Sequence, residues 1–150
     1  MKKNTKVYTL VHIIIPIYLY SILVNYIWEM LHMPLFVGLP IQELSSWLIC
    51  LVASFGDANI ILFIWFCGLL IYKDLWWIRK ITIPRVLLVV VMGFLITWIF
   101  EVHAISSGRW IYSSIMPIIP VINVGLSPIL QMIILPPLIL FIISKRLHVE

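Results

Sequence analysis

Long apolar stretches alternate with short polar ones along the chain, and four of them are long enough to cross a bilayer. A spanning helix needs about 20 predominantly apolar residues, because the hydrocarbon core is about 30 Å thick. The pattern predicts helices over residues 7–28, 47–72, 86–104 and 126–144, and the first could stay helical to His32 before Met33 and Pro34 end it. We therefore expect an all-α fold, a polytopic integral membrane helical bundle with four transmembrane helices and a single domain over residues 1–150.

Composition supports a membrane location and excludes several classes. The chain is 63% hydrophobic and 11% charged, with a mean hydropathy of +1.15, which is too apolar for an ordinary water-soluble domain. Its net charge of +4 does not indicate nucleic-acid binding, since the basic residues lie at helix ends and not on one polar face. Cys50 and Cys67 are seventeen residues apart in one apolar stretch, so an intramolecular disulfide is not expected.

The basic residues predict the orientation of the four spans. Nine of the ten Lys and Arg residues fall on one side: Lys2, Lys3 and Lys6 before the first span, Lys73, Arg79, Lys80 and Arg85 between the second and third, and Lys145 and Arg146 after the fourth. Short cytoplasmic loops carry an excess of such residues. Both termini are therefore expected in the cytoplasm, with the protein in the cell (cytoplasmic) membrane. No small-residue cleavage site follows the basic start, so the first span is read as uncleaved.

The segment 111–125 differs from an ordinary loop. It contains Pro117 and Pro120 among Ile and Val residues. It is too apolar for a solvated loop and too rich in proline for a regular helix. We expect an interfacial or re-entrant segment here.

Every span places a polar side chain at a similar depth. Asp57 lies fifteen residues before Tyr72 and Glu101 fifteen after Val86, which puts both about 23 Å from the cytoplasmic ends of their helices. Gln131 and Asn25 fall at about 20 and 27 Å by the same rise, with Glu29 and His32 above Asn25. A carboxylate at this depth costs a few kcal/mol, so its default interpretation is functional.

The spacing of the polar residues predicts which way they face. Tyr18, Ser21, Asn25, Glu29 and His32 follow one another at steps of three or four, which places them on one stripe of a helix. Gly93, Thr97 and Glu101 repeat this spacing in the third span. A second interpretation stays open, in which these stripes are packing seams held by polar contacts.

Three further features bear on this layer. Ser127 is expected to cap the fourth helix, whose positive end would then lie near the carboxylates. Arg109, the one basic residue on the outer side, is expected either to neutralise a carboxylate or to anchor the interface with Trp110 and Tyr112. Glu29 and His32 have the i, i+3 spacing of a carboxylate-bridged metal site. A second such pair is missing, so we expect neither a metal nor another cofactor.

Several short strings spread over residues 25–131 are similar to those of a set of small bacterial multi-pass membrane proteins. The strings are Asn25-x-x-Trp28-Glu29-x-x-His32-x-Pro34-Leu35, Gly56-Asp57, Glu101 with Arg109-Trp110-x-Tyr112-x-x-x-Met116-Pro117, and Gly125-Leu126-Ser127-Pro128-x-x-Gln131. The resemblance implies the helical membrane fold and this choice of residues. It carries no reaction with it.

The leading functional hypothesis is a site for a lipophilic substrate in the outer leaflet. Glu29, Asp57 and Glu101 would supply acid, base or cation-stabilising groups, as an isomerase or cyclase requires. The residues expected to bind the substrate, a membrane lipid or lipophilic small molecule, are Asn25, His32, Arg109, Tyr112 and Gln131. Two other classes fit the sequence: a proton- or cation-coupled transporter, which would require a homo-oligomer, and a structural or regulatory subunit. Motifs of conventional hydrolases and nucleotide-binding proteins are absent from the sequence.

Overall fold

Four long helices dominate the computed structural model, which describes residues 10–149 and the side chains of residues 11–147. Helix α1 (Ile15–His32) follows a π-helical segment (Leu10–Ile14), and α2 (Leu44–Tyr72), α3 (Ile83–Ser106) and α4 (Leu126–Val149) complete the bundle. Short 3₁₀ turns occupy Met33–Leu35 and Trp77–Arg79. The stretches Val11–Leu35, Leu44–Tyr72, Ile83–Ser106 and Leu126–Leu147 are long and apolar enough to cross a membrane.

The predicted spans are confirmed as helices, but their bounds move outward. α2 begins three residues before the predicted start at residue 47, and α3 begins at Ile83 because Pro84 suits the first turn of a helix. α1 continues to His32 and α4 continues past residue 144. The predicted start at residue 7 and the lysines Lys2, Lys3 and Lys6 lie outside the described residues.

The helices form a ring in which each contacts its two neighbours. α1 packs against α2 and α4, and α3 packs against the same two helices. Large apolar side chains point away from the ring, and Leu31, Val52 and Ile83 are 70–77% exposed. Such surfaces suit a hydrocarbon solvent, since lipid tails are as apolar as the side chains themselves.

The two ends of the bundle differ in charge. At one end α2 finishes, α3 begins and α4 finishes, and six of the described basic residues lie there: Lys73, Arg79, Lys80, Arg85, Lys145 and Arg146. We call this the basic end and the opposite one the site end. Trp77 closes the basic end, where its ring covers Gly68 so closely that a Cβ there would lie 2.3 Å from a ring carbon.

The segment 111–125 folds across the site end. Its first part pairs with the chain that follows α1, through a bridge between Phe36 and Tyr112. Its second part is a two-stranded antiparallel hairpin, β1 (Ile118–Ile119) and β2 (Val124–Gly125), with Asn123 at a positive φ of 52° in the turn. The hairpin contacts α3 and α4. The fold is therefore helical with one small hairpin, which the expected all-α class did not include.

Candidate functional site

Gln131 occupies the centre of a polar cluster that joins three helices. This α4 side chain is 3% exposed. Its Nε2 lies 2.9 Å from Asn25 Oδ1, 3.1 Å from Glu29 Oε1 and 2.9 Å from Asp57 Oδ2. The sequence predicts a similar depth for these four residues, and the structure brings them into contact. Their catalytic and binding roles stay predictions.

Asn25 sets the orientation of the Gln131 amide. Its Nδ2 donates to the Ser21 carbonyl oxygen at 2.8 Å, one turn earlier in α1. The Asn25 Oδ1 is therefore the atom that faces Gln131, and only an N–H group can complement it. Because Asn25 is fully buried, this bond is shielded from water. It directs the amide nitrogen of Gln131, and not its oxygen, toward the carboxylates.

Glu29 extends the cluster toward the site end. Its Oε2 lies 3.1 Å from His32 Nε2, one turn later on the same face of α1. The other ring nitrogen, Nδ1, is 2.9 Å from the hydroxyl of Ser127 in the first turn of α4. Ser127 was expected to cap α4, and the structure gives its side chain this contact with His32. Sequence reasoning could not identify the pair, which is 95 residues apart.

Asp57 reaches the cluster from the middle of α2. Ser54 and Gly56 before it are small. Ser54 is fully buried, and its hydroxyl donates to the Cys50 carbonyl at 2.7 Å. Besides its bond from Gln131, the Asp57 carboxyl lies within hydrogen-bonding range of the Glu29 carboxyl. Two acidic groups from neighbouring helices therefore share one amide donor and lie against each other.

Glu101 lies beside this cluster with donors of its own. The phenol of Tyr112 donates a short hydrogen bond to Glu101 Oε2, and the Trp110 indole N–H approaches the same oxygen at 3.4 Å. Glu101 is 6% exposed and close enough to Glu29 and Asp57 for their charges to interact. The predicted layer thus includes Glu101, joined by proximity and not by a direct bond to Gln131.

Tyr112 connects the site to the hairpin. Its hydroxyl accepts a hydrogen bond from the Gly125 backbone N–H at 2.9 Å while it donates to Glu101. Burial, together with the bond to Glu101, raises the pKa of the Tyr112 phenol above its usual value. Phe36 packs against the rings of His32, Trp110 and Tyr112 and covers this part of the site.

Arg109 does not take the position of a counter-charge. The side chain is exposed, and its guanidinium lies 5.7 Å from the ring centre of Trp110. Within the described residues it forms no ion pair with Glu29, Asp57 or Glu101. The expected neutralisation of a carboxylate by Arg109 is therefore wrong here, because the turn after α3 ends before the chain returns over the site. The interfacial-anchor interpretation agrees with this placement.

Below the carboxyl layer, two buried hydroxyls lead into an apolar core. Ser21 and Thr97, one turn below Asn25 and Glu101, have hydroxyl groups without a hydrogen-bond partner in the described part of the chain. Beyond them, the half toward the basic end is filled by buried apolar side chains. The described residues contain no group of three or more His, Cys, Asp or Glu placed to hold a metal ion.

Comparisons of the chain with protein-family models, with curated proteins and with solved structures give no match.

Proposed function

We propose that this protein binds a lipophilic molecule at the carboxyl site and acts on it by acid–base chemistry. The observation that carries the proposal is the single network around Gln131, in which Asn25, Glu29 and Asp57 from two other helices meet one amide group. Packing seams need only isolated polar contacts, whereas this network holds two acidic side chains, with Glu101 as a third beside it, in a mostly apolar bundle. Ionisable groups at such depth are costly and are found where chemistry or transport requires them.

Hydrogen-bond counting supports an acid next to a base. The Gln131 amide has two hydrogens but three oxygen acceptors within 3.1 Å. A proton shared by Glu29 and Asp57 supplies the missing donor, so that one carboxyl donates while the other accepts. His32 beside Glu29 gives that proton an exchange partner. Such a pair of carboxyl groups can protonate one atom of a substrate and remove a proton from another.

Glu101 and Tyr112 supply a second proton-carrying pair at the same site. Glu101 accepts hydrogen bonds from the Tyr112 phenol and the Trp110 indole. Its carboxylate would stabilise positive charge that develops on a substrate. Asn25, His32, Tyr112 and Gln131 are the proposed binding side chains around the three carboxyl groups. Arg109, exposed at the edge of the same loop, would contact the part of the molecule nearest the water.

The apolar core favours this proposal over transport. A pathway for protons or cations needs polar groups on both sides of the carboxylates. Toward the basic end the ring is instead packed with Ile61, Ile64, Leu135, Ile139 and Ile143, each at most 4% exposed. The proposed route of a ligand to the carboxyl groups is therefore from the site end of the bundle.

The proposed orientation places the basic end in the cytoplasm. The excess of Lys and Arg there supports it, with both termini cytoplasmic and the carboxyl site in the outer leaflet of the cell membrane. The segment 111–125 then lies in the outer interface, where its exposed Ile111, Ile115 and Val121 meet the headgroup region. Reporter fusions after Arg79 should behave as cytoplasmic and fusions after Gln42 as external, and an external signal at Arg79 would overturn this orientation.

The binding proposal is tested by purifying the protein in polymer nanodiscs and identifying the retained lipids by mass spectrometry. Wild type should carry a lipophilic compound enriched over the bulk membrane lipids. Asp57→Asn should lose it, because its uncharged amide cannot exchange a proton with Glu29. Glu43→Gln, which changes an acidic residue outside the site, should retain it. Identical lipid profiles in all samples would contradict the proposal, and proton flux in liposomes that is abolished by Asp57→Asn would favour transport.

A further inference from the structure

At the basic end, a strong excess of positive charge lies next to a small apolar cavity. Six basic side chains lie there, against one acidic side chain among the described residues, Asp74. The Asp74 carboxylate is already engaged, since it accepts a hydrogen bond from the Trp76 backbone N–H at 2.9 Å. With six basic side chains against one acidic one, the described part of this end carries a net positive charge.

The cavity lies between the turn after α2, the first turns of α3 and the second half of α4, and has a volume of about 30 Å³. Apolar side chains form most of its wall, among them Val89, Pro137 and Leu140. Its charged lining residues are Lys80 and Arg85. Ile81, which also lines the cavity, is 45% exposed, and Ile83 beyond it is 76% exposed. Charge and apolar surface thus adjoin in one place.

Arg85 is held in a fixed position with spare donors. Its Nη1 donates to the carbonyl oxygens of Trp77 and, at 2.8 Å, Lys80, and its guanidinium lies 4.9 Å from the ring centre of Tyr72. Its Nε and Nη2 groups have no acceptor among the described residues. A guanidinium fixed in this way is suited to binding an oxyanion, because its donors are already arranged in a plane. Lys80 is exposed and adds a second positive charge without an ion pair to any described residue.

We infer that this place is a binding site for an anionic phospholipid, with the phosphate between Arg85 and Lys80 and an acyl chain along the apolar wall of α3 and α4. Basic pockets at helix ends recognise lipid headgroups through this combination of charge and adjoining apolar surface. A free phosphate would use only the two basic side chains and would leave the exposed Ile81 and Ile83 without a role. The site is independent of the carboxyl cluster, which lies at the other end of the bundle.

Native mass spectrometry of the full chain released from detergent tests the site, with phosphatidylglycerol and phosphatidylcholine as the two probes. Wild type should retain one phosphatidylglycerol molecule in preference to phosphatidylcholine. Lys80→Gln should weaken phosphatidylglycerol binding about fivefold, the effect of one basic residue near a lipid surface. Lys73→Gln is the matched control, because Lys73 is exposed at the same end but does not line the cavity. It should change binding by less than about twofold.

A second measurement separates the lipid from its headgroup anion. Phosphatidylglycerol should raise the melting temperature of wild type more than that of Lys80→Gln, and inorganic phosphate at the same concentration should raise neither. Equal retention of the two lipids would overturn the inference, as would equal losses in Lys80→Gln and Lys73→Gln. Equal stabilisation by inorganic phosphate would also overturn it, since the site would then be one for a soluble anion.

Discussion

Gln131 Nε2 lies 2.9 Å from Asp57 Oδ2 and so joins α4 to α2 across the ring of helices. The same nitrogen also lies within 3.1 Å of Asn25 Oδ1 and Glu29 Oε1, so its two hydrogens are shared among acceptors from two other helices. A buried acceptor that loses its donor bears the full cost of its desolvation. The stability of the site end therefore depends strongly on this one amide.

Replacing Gln131 by Leu should lower the free energy of unfolding by about 2 kcal/mol, since several buried oxygens lose their donor at once. The measurement is an SDS titration in detergent micelles. Gln42→Leu is the control, because Gln42 is exposed in the loop before α2, and it should change stability by less than about 0.5 kcal/mol. Equal effects of the two substitutions would contradict the central position assigned to Gln131.

Gly93 marks the closest approach of α3 and α4. A Cβ at this position would lie 2.2 Å from the backbone oxygen of Met132, which lacks its usual i+4 donor because Pro136 has no N–H. Gly93→Ala must push the helices apart and should cost about 1–3 kcal/mol. Gly56→Ala in α2 meets nothing within 4 Å and should be neutral or stabilising by up to about 1 kcal/mol. Similar unfolding curves for both variants would show that the approach is not tight.

Tyr112 should make the site end sensitive to alkaline pH. Its pKa is raised in the folded protein by burial and by the bond to Glu101. The folded state therefore holds the phenolic proton more tightly than the unfolded state, whose Tyr titrates near pH 10. This contribution is fully present below about pH 10 and decreases as the pH rises toward the raised pKa of the folded state.

The measurement for Tyr112 is the free energy of unfolding from about pH 8 to about pH 11. Tyr112→Phe should reduce stability at the lower pH by about 1–3 kcal/mol and should show a smaller further loss at the higher pH. Tyr20→Phe, at an exposed position of α1, is the control and should keep the wild-type dependence. A Tyr112→Phe profile parallel to that of wild type would argue against the proposed role of the phenol.

Arg109 and Arg85 should differ sharply in their contributions to stability. Arg109 is exposed over Trp110, so Arg109→Gln should change the free energy of unfolding by less than about 0.5 kcal/mol. Arg85 donates to two backbone carbonyls that shape the turn after α2, and Arg85→Gln should cost about 1–3 kcal/mol. A large loss of stability in Arg109→Gln would contradict this placement and would support an ion pair between Arg109 and a carboxylate.

The positions of the helices, and which side chains share one helix face, could be predicted from the sequence because both follow from local periodicity. The steps between Ser21, Asn25 and Glu29 place these residues on one face whatever lies beside them. Counting residues from the helix ends was enough to put Asp57 and Gln131 at one level. The hydrogen bonds among these residues follow once four helices close into a ring.

Contacts that depend on loop geometry could not be predicted in this way. The hairpin of Ile118–Ile119 with Val124–Gly125 has the β-branched residues and turn asparagine of a strand pair, but each strand is only two residues long. The direction of the chain after Ser106 decides that Tyr112, and not Arg109, reaches Glu101. No local pattern encodes that direction.

The proton proposed between Glu29 and Asp57 is the feature on which the acid–base account depends most directly. Infrared spectroscopy of the protein in lipid bilayers at neutral pH detects it through the carbonyl stretch of a protonated carboxyl group. The account predicts such a band in wild type, its loss in both Asp57→Asn and Glu29→Gln, and a shift of its frequency in Gln131→Leu. Asp74→Asn, at the basic end, should leave the band unchanged. A wild-type spectrum without a protonated-carboxyl band, or a band that neither substitution at Glu29 nor at Asp57 alters, would contradict it.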